Sequence, residues 1–357
     1  MRNAPLFLES DIKTIVERLG QDAQQFAGQT VLVSGGHGFL GRHFLIVLAY
    51  LNEHLLKRRC RVIVVDNHIT SAAPLLKRAW RDGYRFIQHD LARPLTIRGS
   101  VDYIIHAAGI ASPYYYRKYP LETLEVATLG TRHLLEIARQ RPVKGFLFFS
   151  SSEIYGNPDE KHIPTTESYA GNVSCLGPRA CYDESKRLGE TLCAVFHEEF
   201  GVPATMVRPF NVYGPGMSEA DYRVIPNFTS RIIGRRPLHI YGTGKQTRTF
   251  CYITDAIVGF FKALLRGARG QAYNIGNPSP EVSMLELAKV FQRVVRRKLP
   301  LEVIEYPDAY PSDEPQRRCP DLSKAARHLD YHPVVGLSEG LHRVMKWAEG
   351  VYTGSPF

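Results

Sequence analysis

The chain has 357 residues, of which 44% are hydrophobic, so it holds enough apolar material for one large domain or two unequal lobes and is not a disordered chain. The run Phe44 to Leu51 falls far short of the ~20 residues of a membrane helix, and six cysteines (Cys60, Cys175, Cys181, Cys193, Cys251, Cys319) include no Cys-x-x-Cys pair. The sequence therefore predicts a cytoplasmic protein with reduced thiols, neither secreted nor membrane-bound. The formal net charge of +10 comes without a long basic tract, and the densest run, Lys57-Arg58-Arg59, reads as a solvated helix end, so an anionic small substrate suits the charge better than nucleic acid.

Residues 1–27 carry an amphipathic pattern (Leu6, Phe7, Leu8, Ile12, Ile15, Val16, Leu19) that predicts a helical extension serving packing or a subunit contact. Strand-like apolar runs follow at Thr30–Ser34, Arg61–Val65, Tyr84–Gln88, Tyr103–Ala107, Gly145–Ser150 and Ala204–Pro209. Helix-length segments separate them, which implies right-handed crossovers and a parallel sheet covered on both faces. The predicted fold is a doubly wound α/β (Rossmann) unit over 28–210. Beyond Asn211 the chain breaks into Pro- and Gly-punctuated pieces, with helices near Val224–Ile233, Thr254–Arg266 and Met284–Val295. Residues 211–357 read as a smaller, mainly substrate-binding lobe over the carboxyl ends of the strands.

The first strand runs into Gly35-Gly36-His37-Gly38-Phe39-Leu40-Gly41. Gly35 suits a tight turn, Gly38 a close approach to a pyrophosphate, and Gly41 close packing of helix on strand, with the helix start at Phe39 and Leu40 facing the phosphates. Asp66 and Asn67 end the next strand. Asp66 lies where an acid accepts hydrogen bonds from an adenine ribose, and its charge opposes a 2′-phosphate, which favours NAD over NADP. His89-Asp90-Leu91 and His106-Ala107-Ala108-Gly109 follow the third and fourth strands and predict the adenine and ribose walls. His37, His68 and His106 show no ligand-like spacing, so no metal is expected.

Tyr-x-x-x-Lys occurs three times, at Tyr114, Tyr182 and Tyr241. The first runs into Pro120 and the third spans Gly242 and Gly244, a turn. Only Tyr182 and Lys186 open a long helical pattern, in which one turn brings phenol and ammonium onto one face. A phenol becomes a base at neutral pH when a nearby cation favours its ionised form, so this pair suggests chemistry at a carbinol.

Together with Ser150-Ser-Ser-Glu-Ile-Tyr-Gly156 and Arg208-Pro-Phe-Asn-Val-Tyr-Gly-Pro215, these motifs resemble the extended short-chain dehydrogenase/reductases that act on nucleotide sugars. The resemblance runs from about Thr30 to Trp347 and is strongest to the UDP-glucuronic acid decarboxylases (UDP-xylose synthases). It is carried by Ala111-Ser-Pro113 with Tyr116, Gly177-Pro-Arg-Ala-Cys-Tyr-Asp-Glu184, Gln246-Thr-Arg-Thr-Phe250 and Arg318-Cys-Pro-Asp321. Sister 4,6-dehydratases look like Thr-Asp-Glu where this chain has Ser151-Ser152-Glu153, and simple 4-epimerases lack the acid at Glu153. One departure is Ala127-Thr-Leu-Gly-Thr131, where the family usually has Asn-x-x-Gly-Thr.

The resemblance implies NAD-dependent oxidation at C4 of UDP-glucuronate, loss of CO₂ and re-reduction. It implies catalytic roles for Ser151, Ser152, Glu153, Tyr182, Lys186 and Arg318, with the donor to C5 left open between Ser152 and Glu153. Substrate contacts are implied for Tyr116, Glu153, Asn211, Arg223, Tyr241, Arg248 and Arg318. Tyr182 and Lys186 also meet the cofactor. A homodimer through the Tyr182 helix is implied too, its outer face offering Leu192 and Phe196. The rival readings are a nucleotide-sugar 4-epimerase or 4,6-dehydratase, and a non-catalytic NAD-binding sensor.

Overall fold

The computed structural model describes residues 7–71, 83–305 and 315–355, which leaves Leu6 of the predicted N-terminal pattern outside the described residues. Strands β1 (Thr30–Ser34), β2 (Arg61–Asp66), β3 (Tyr84–Gln88), β4 (Tyr103–His106), β5 (Gly145–Phe149) and β6 (Ala204–Pro209) match the six predicted runs to within a residue. They form a parallel sheet in the order β3-β2-β1-β4-β5-β6, extended by a seventh strand, β11 (Gln271–Ile275), that the sequence pattern did not reveal. The order reverses between β1 and β4, and at such a switch point a crevice opens beyond the carboxyl ends of the strands.

All five residues of β1 are buried, as a strand covered on both faces requires. Successive side chains alternate between faces. Val31 and Val33 join Val62, Val64, Leu147 and Phe149 under α2 (Phe39–His54) and α8 (Ile253–Arg266). Leu32 joins Ile63, Ile104 and Phe146 on the other face, under α5 (Leu129–Arg139) and α6 (Ala180–Phe200).

Helix α6 buries Tyr182, Lys186, Gly189, Cys193 and Phe196, whose spacing of three and four residues makes one stripe toward the sheet. That stripe corrects the expected outer face. Phe196 lies in the core, Leu192 is half-buried against it, and the exposed apolar residues of α6 are Leu188, Val195 and Phe200. Nearby, α4 (Pro120–Ala127) and α5 leave Leu121 and Leu129 exposed.

The N-terminal extension folds as α1 (Glu9–Leu19) followed by a 3-10 turn, Gly20–Phe26. Ile12, Ile15, Leu19 and Phe26 enter the same core as α2 and α8. Its buried Asp11 accepts from Tyr252 (2.6 Å) and from Arg343 (2.9 Å) on α11 (Leu337–Ala348), while Arg18 pairs with Asp255.

After β6 the chain supplies β7 (Val212–Tyr213), α7 (Val224–Ile233), β8 (Leu238–Tyr241), β9 (Thr247–Arg248) and β10 (Cys251–Tyr252). Later come β12 (Val282–Ser283), α9 (Met284–Val295), β13 (Leu301–Ile304) and β14 (Arg317–Arg318). β14 pairs in parallel with β9, setting Arg318 beside Arg248. Buried Arg208 binds Glu190 of α6 through two bonds of 2.8 and 2.6 Å and donates to the Tyr155 hydroxyl at 2.7 Å, tying β6 to α6.

Candidate active site

The glycine turn is built by close backbone contacts. Gly35 donates to Val65 O (2.8 Å) at φ +69°, and a Cβ on it would lie 2.6 Å from the backbone of Ala108. A Cβ on Gly41 would lie 2.1 Å from Gly35 O, so Gly41 lets α2 pack on the turn and does not itself line the cleft. Gly38 is the N-cap of α2, whose first free N–H groups make a ready anion site. Gly35, Gly38, Asp66, Asn67, Asp90, Leu91, Ala107 and Ala108 line one continuous crevice.

Asp66 Oδ2 accepts from the His37 backbone (2.9 Å) and Oδ1 from the His68 backbone (2.8 Å). Although distant in sequence, His37 and His68 meet at Asp66 because β1 and β2 lie side by side. His106, by contrast, is a buried structural residue, bonded to Ser34 (2.7 Å) and Thr131 (3.0 Å).

A larger cleft adjoins the crevice at Ala107 and Gly109 and is lined by Phe39, Leu40, Tyr116, Ser151, Ser152, Glu153, Tyr182, Lys186, Asn211, Arg223, Tyr241, Arg248 and Arg318. Every sequence-predicted catalytic and substrate residue thus faces one cavity. Tyr182 stacks on Tyr116 (centroids 5.4 Å, 15°). Burial pushes its phenol up, and the hydrogen bond from the Ser151 hydroxyl works against that shift. Lys186 Nζ donates to Phe149 O (2.7 Å) and lies 5.8 Å from the Tyr182 ring centroid. Burial holds its ammonium down to about 8. In the protein alone, therefore, desolvation dominates both members of the pair, and Ser151 rather than Lys186 is the chief group favouring the phenolate.

Ser151 begins the 3-10 turn Ser152–Tyr155, its Oγ accepting from Glu153 N (3.2 Å). That turn presents the Glu153 carboxylate, whose Oε2 accepts from both Arg179 and Arg318. Arg179 stands within the Gly177 to Glu184 motif, whose linear pattern gives it no role. Its contact with Glu153 requires the start of α6 to fold against the turn after β5, which the linear pattern does not display. Arg179 Nε also lies 3.5 Å from Asp183.

Also in the cleft lining, Asn211 is anchored by a bond to Thr249 O (2.8 Å), and Arg223 pairs with Asp221 at 2.5 Å. Arg248 is buried and donates to the carbonyls of Thr247 (2.8 Å) and Pro315 (2.7 Å), so part of its guanidinium holds the cleft wall.

The chain belongs to the NAD dependent epimerase/dehydratase family, which matches residues 31–276. It is 38% identical over 317 residues to UDP-glucuronic acid decarboxylase 1 of Arabidopsis thaliana, covering 88% of this chain and 68% of that protein. Among solved structures it is similar to a dTDP-glucose 4,6-dehydratase of Streptomyces venezuelae with NAD bound (26% identity, TM-score 0.77, 90% of this chain and 98% of that one). It is also similar to the UDP-glucuronic acid 4-epimerase of Bacillus cereus in complex with UDP-glucuronic acid and NAD (25% identity, TM-score 0.74, 91% and 100%). The residues present fit the family's NAD. A side chain on Gly35 would close the cradle, the helix end leaves N–H groups for a pyrophosphate, and Asp66 keeps acceptor capacity on Oδ2 for ribose hydroxyls.

Proposed function

We propose that the protein converts UDP-glucuronate to UDP-xylose and CO₂ through a C4 ketone. The observation that carries this reading is the meeting of Arg318 with Glu153, 165 residues apart in sequence, in the cleft that also holds Ser151 and Tyr182. A substrate carboxylate at C5 would be drawn to the two guanidinium groups already gathered there.

Tyr182 takes the C4 hydroxyl proton, with the Ser151 hydroxyl bonded to the same oxygen. Lys186 orients this end of the cleft. NAD, when bound, supplies the hydride acceptor for C4 and the donor for its return. The resulting β-keto acid loses CO₂ because the electron pair left at C5 delocalises into the C4 carbonyl, where Tyr182 and Ser151 donate hydrogen bonds to the developing oxyanion. A proton is then delivered to C5 from the Ser152 and Glu153 side, and Tyr182 returns its proton to the C4 oxygen. Arg179 and Arg318 hold Glu153 in position. Tyr116 lines the cleft with a buried hydroxyl that has no partner among the described residues, which supports a contact with the sugar carboxylate. Arg223, Arg248, Asn211 and Tyr241 meet the UDP moiety.

NMR of UDP-glucuronate incubated with the protein and NAD tests the reading. The expected products are a UDP-pentose and CO₂. Substrate unchanged across a range of pH overturns the proposal, and a product of unchanged mass makes the protein an epimerase.

Two further expectations belong to this proposal. Exposed Leu188, Val195, Leu121 and Leu129 support a homodimer formed through α6 and its neighbours α4 and α5. Six unpaired cysteines support a reducing, cytoplasmic setting, and among the described residues no helix is long and apolar enough to cross a membrane.

A further inference from the structure

His37, Asp66 and His68 bring three ligand atoms within 4.8 Å of one another beside the glycine turn. His37 Nδ1 is 3.9 Å from Asp66 Oδ2, and His68 Nδ1 is 4.0 Å from Asp66 Oδ1, both too long for hydrogen bonds. His37 is only 5% exposed, yet neither of its ring nitrogens has a hydrogen-bond partner among the described residues, and neither has His68 Nδ1. Buried polar atoms are nearly always satisfied, so the unpaired Nδ1 atoms of two rings beside one carboxylate, with His37 Nε2 unpaired as well, point to a missing partner. Packing explains the rings but not the nitrogens: His37 stacks between Phe86 (5.5 Å) and His68 (4.6 Å).

We propose that His37, Asp66 and His68 form a binding site for a divalent transition cation of the zinc class, and that this cation and the adenosine ribose of NAD exclude one another at Asp66. Two imidazoles and one carboxylate are a zinc-type donor set that leaves a fourth position for water. Bonds of about 2.1 Å in a tetrahedral site separate ligand atoms by roughly 3.4 Å, so small side-chain rotations close the observed gaps. A cation on Asp66 draws off the charge of the carboxylate and takes lone pairs that the ribose hydroxyls use, so occupancy by one lowers affinity for the other. The protein would thus lose NAD as zinc rises, a reciprocal linkage. The exclusion rests on Asp66 holding the ribose; metal binding does not.

Equilibrium dialysis of the full chain, freed of NAD, against micromolar zinc chloride, with bound metal counted by mass spectrometry, reads the site without substrate. It therefore stands or falls apart from the decarboxylation reading. The expected result is one zinc per chain, lost in His37→Ala and in His68→Ala, with both variants still folded by circular dichroism and still binding NAD. Zinc should raise the apparent Kd for NAD at least tenfold, and saturating NAD should expel the metal. Failure of the wild type to bind zinc, or equal binding by wild type and His37→Ala, overturns the site. Zinc held undiminished at saturating NAD overturns the exclusion.

Discussion

Replacing Lys186 by Met should inactivate the protein and also stabilise it. Lys186 is 3% exposed, and burial takes its ammonium from 10.5 down to about 8. The difference, 10.5 − 8 or about 2.5 pH units at ~1.36 kcal/mol each, makes the buried charge cost about 3 kcal/mol of folding stability at neutral pH. Met retains most of the side-chain volume but forfeits the bond to Phe149 O, about 1 kcal/mol. The net expectation is a gain of about 2 kcal/mol at pH 7. The sign follows from proton binding. Below the folded value near 8 both states hold the proton, so the cost is constant. Between 8 and 10.5 the unfolded chain keeps the proton and the folded chain has released it, so wild-type stability rises with pH. The advantage of Lys186→Met is therefore full below pH ~8 and shrinks above it, becoming a deficit of about 1 kcal/mol toward pH ~10.5. Urea unfolding of both NAD-free proteins at a series of pH values measures this difference while cancelling the other titrating groups. A variant less stable than wild type at pH 7, or a difference that stays flat above pH 8, would refute the reasoning.

Tyr182→Phe keeps the ring stacked on Tyr116 and should lower kcat by roughly 10²–10⁴-fold with little change in Tm or NAD affinity; a rate within tenfold of wild type contradicts the base assignment. Glu190→Gln leaves the Arg208 guanidinium without its buried counter-charge and should lose about 3 kcal/mol in chemical denaturation. A loss below about 1 kcal/mol would class that pair with exposed ones. Leu188→Asp with Val195→Asp should convert a dimer to a monomer by light scattering, and a dimer that persists places the interface elsewhere.

What could be read from the sequence was whatever depends on short-range periodicity. The six strands of β1 to β6 show as apolar runs because both sheet faces are covered, and α7 and α9 show as helical stripes. Strand β11 escaped because Gln271-Ala-Tyr-Asn-Ile275 mixes polar residues into a buried run, and its place beside β6 depends on α8 crossing back over the sheet. Two-residue strands such as β9 and β14 carry no periodicity, yet their pairing brings Arg318 to the cleft. The motif residues were legible as a group because many of them lie at strand ends or in the first turns of helices. Arg179 and the His37 to His68 contact were not, since both arise where segments distant in sequence touch. On α6, the stripe of Lys186, Gly189, Cys193 and Phe196 shows which side is inward only once the sheet beneath it is known.

Helix α1 is translated well before the groups that hold its Asp11. Asp11 waits for Tyr252, 241 positions on, and for Arg343, 332 positions on. At roughly 5–20 residues per second, that delay lasts on the order of 20–70 s. Throughout it the apolar side carrying Ile12, Ile15 and Leu19 can meet α2 but not α8, so its native cover is incomplete. Helix α1 is thus made early and fully secured only once the chain around Arg343 has followed.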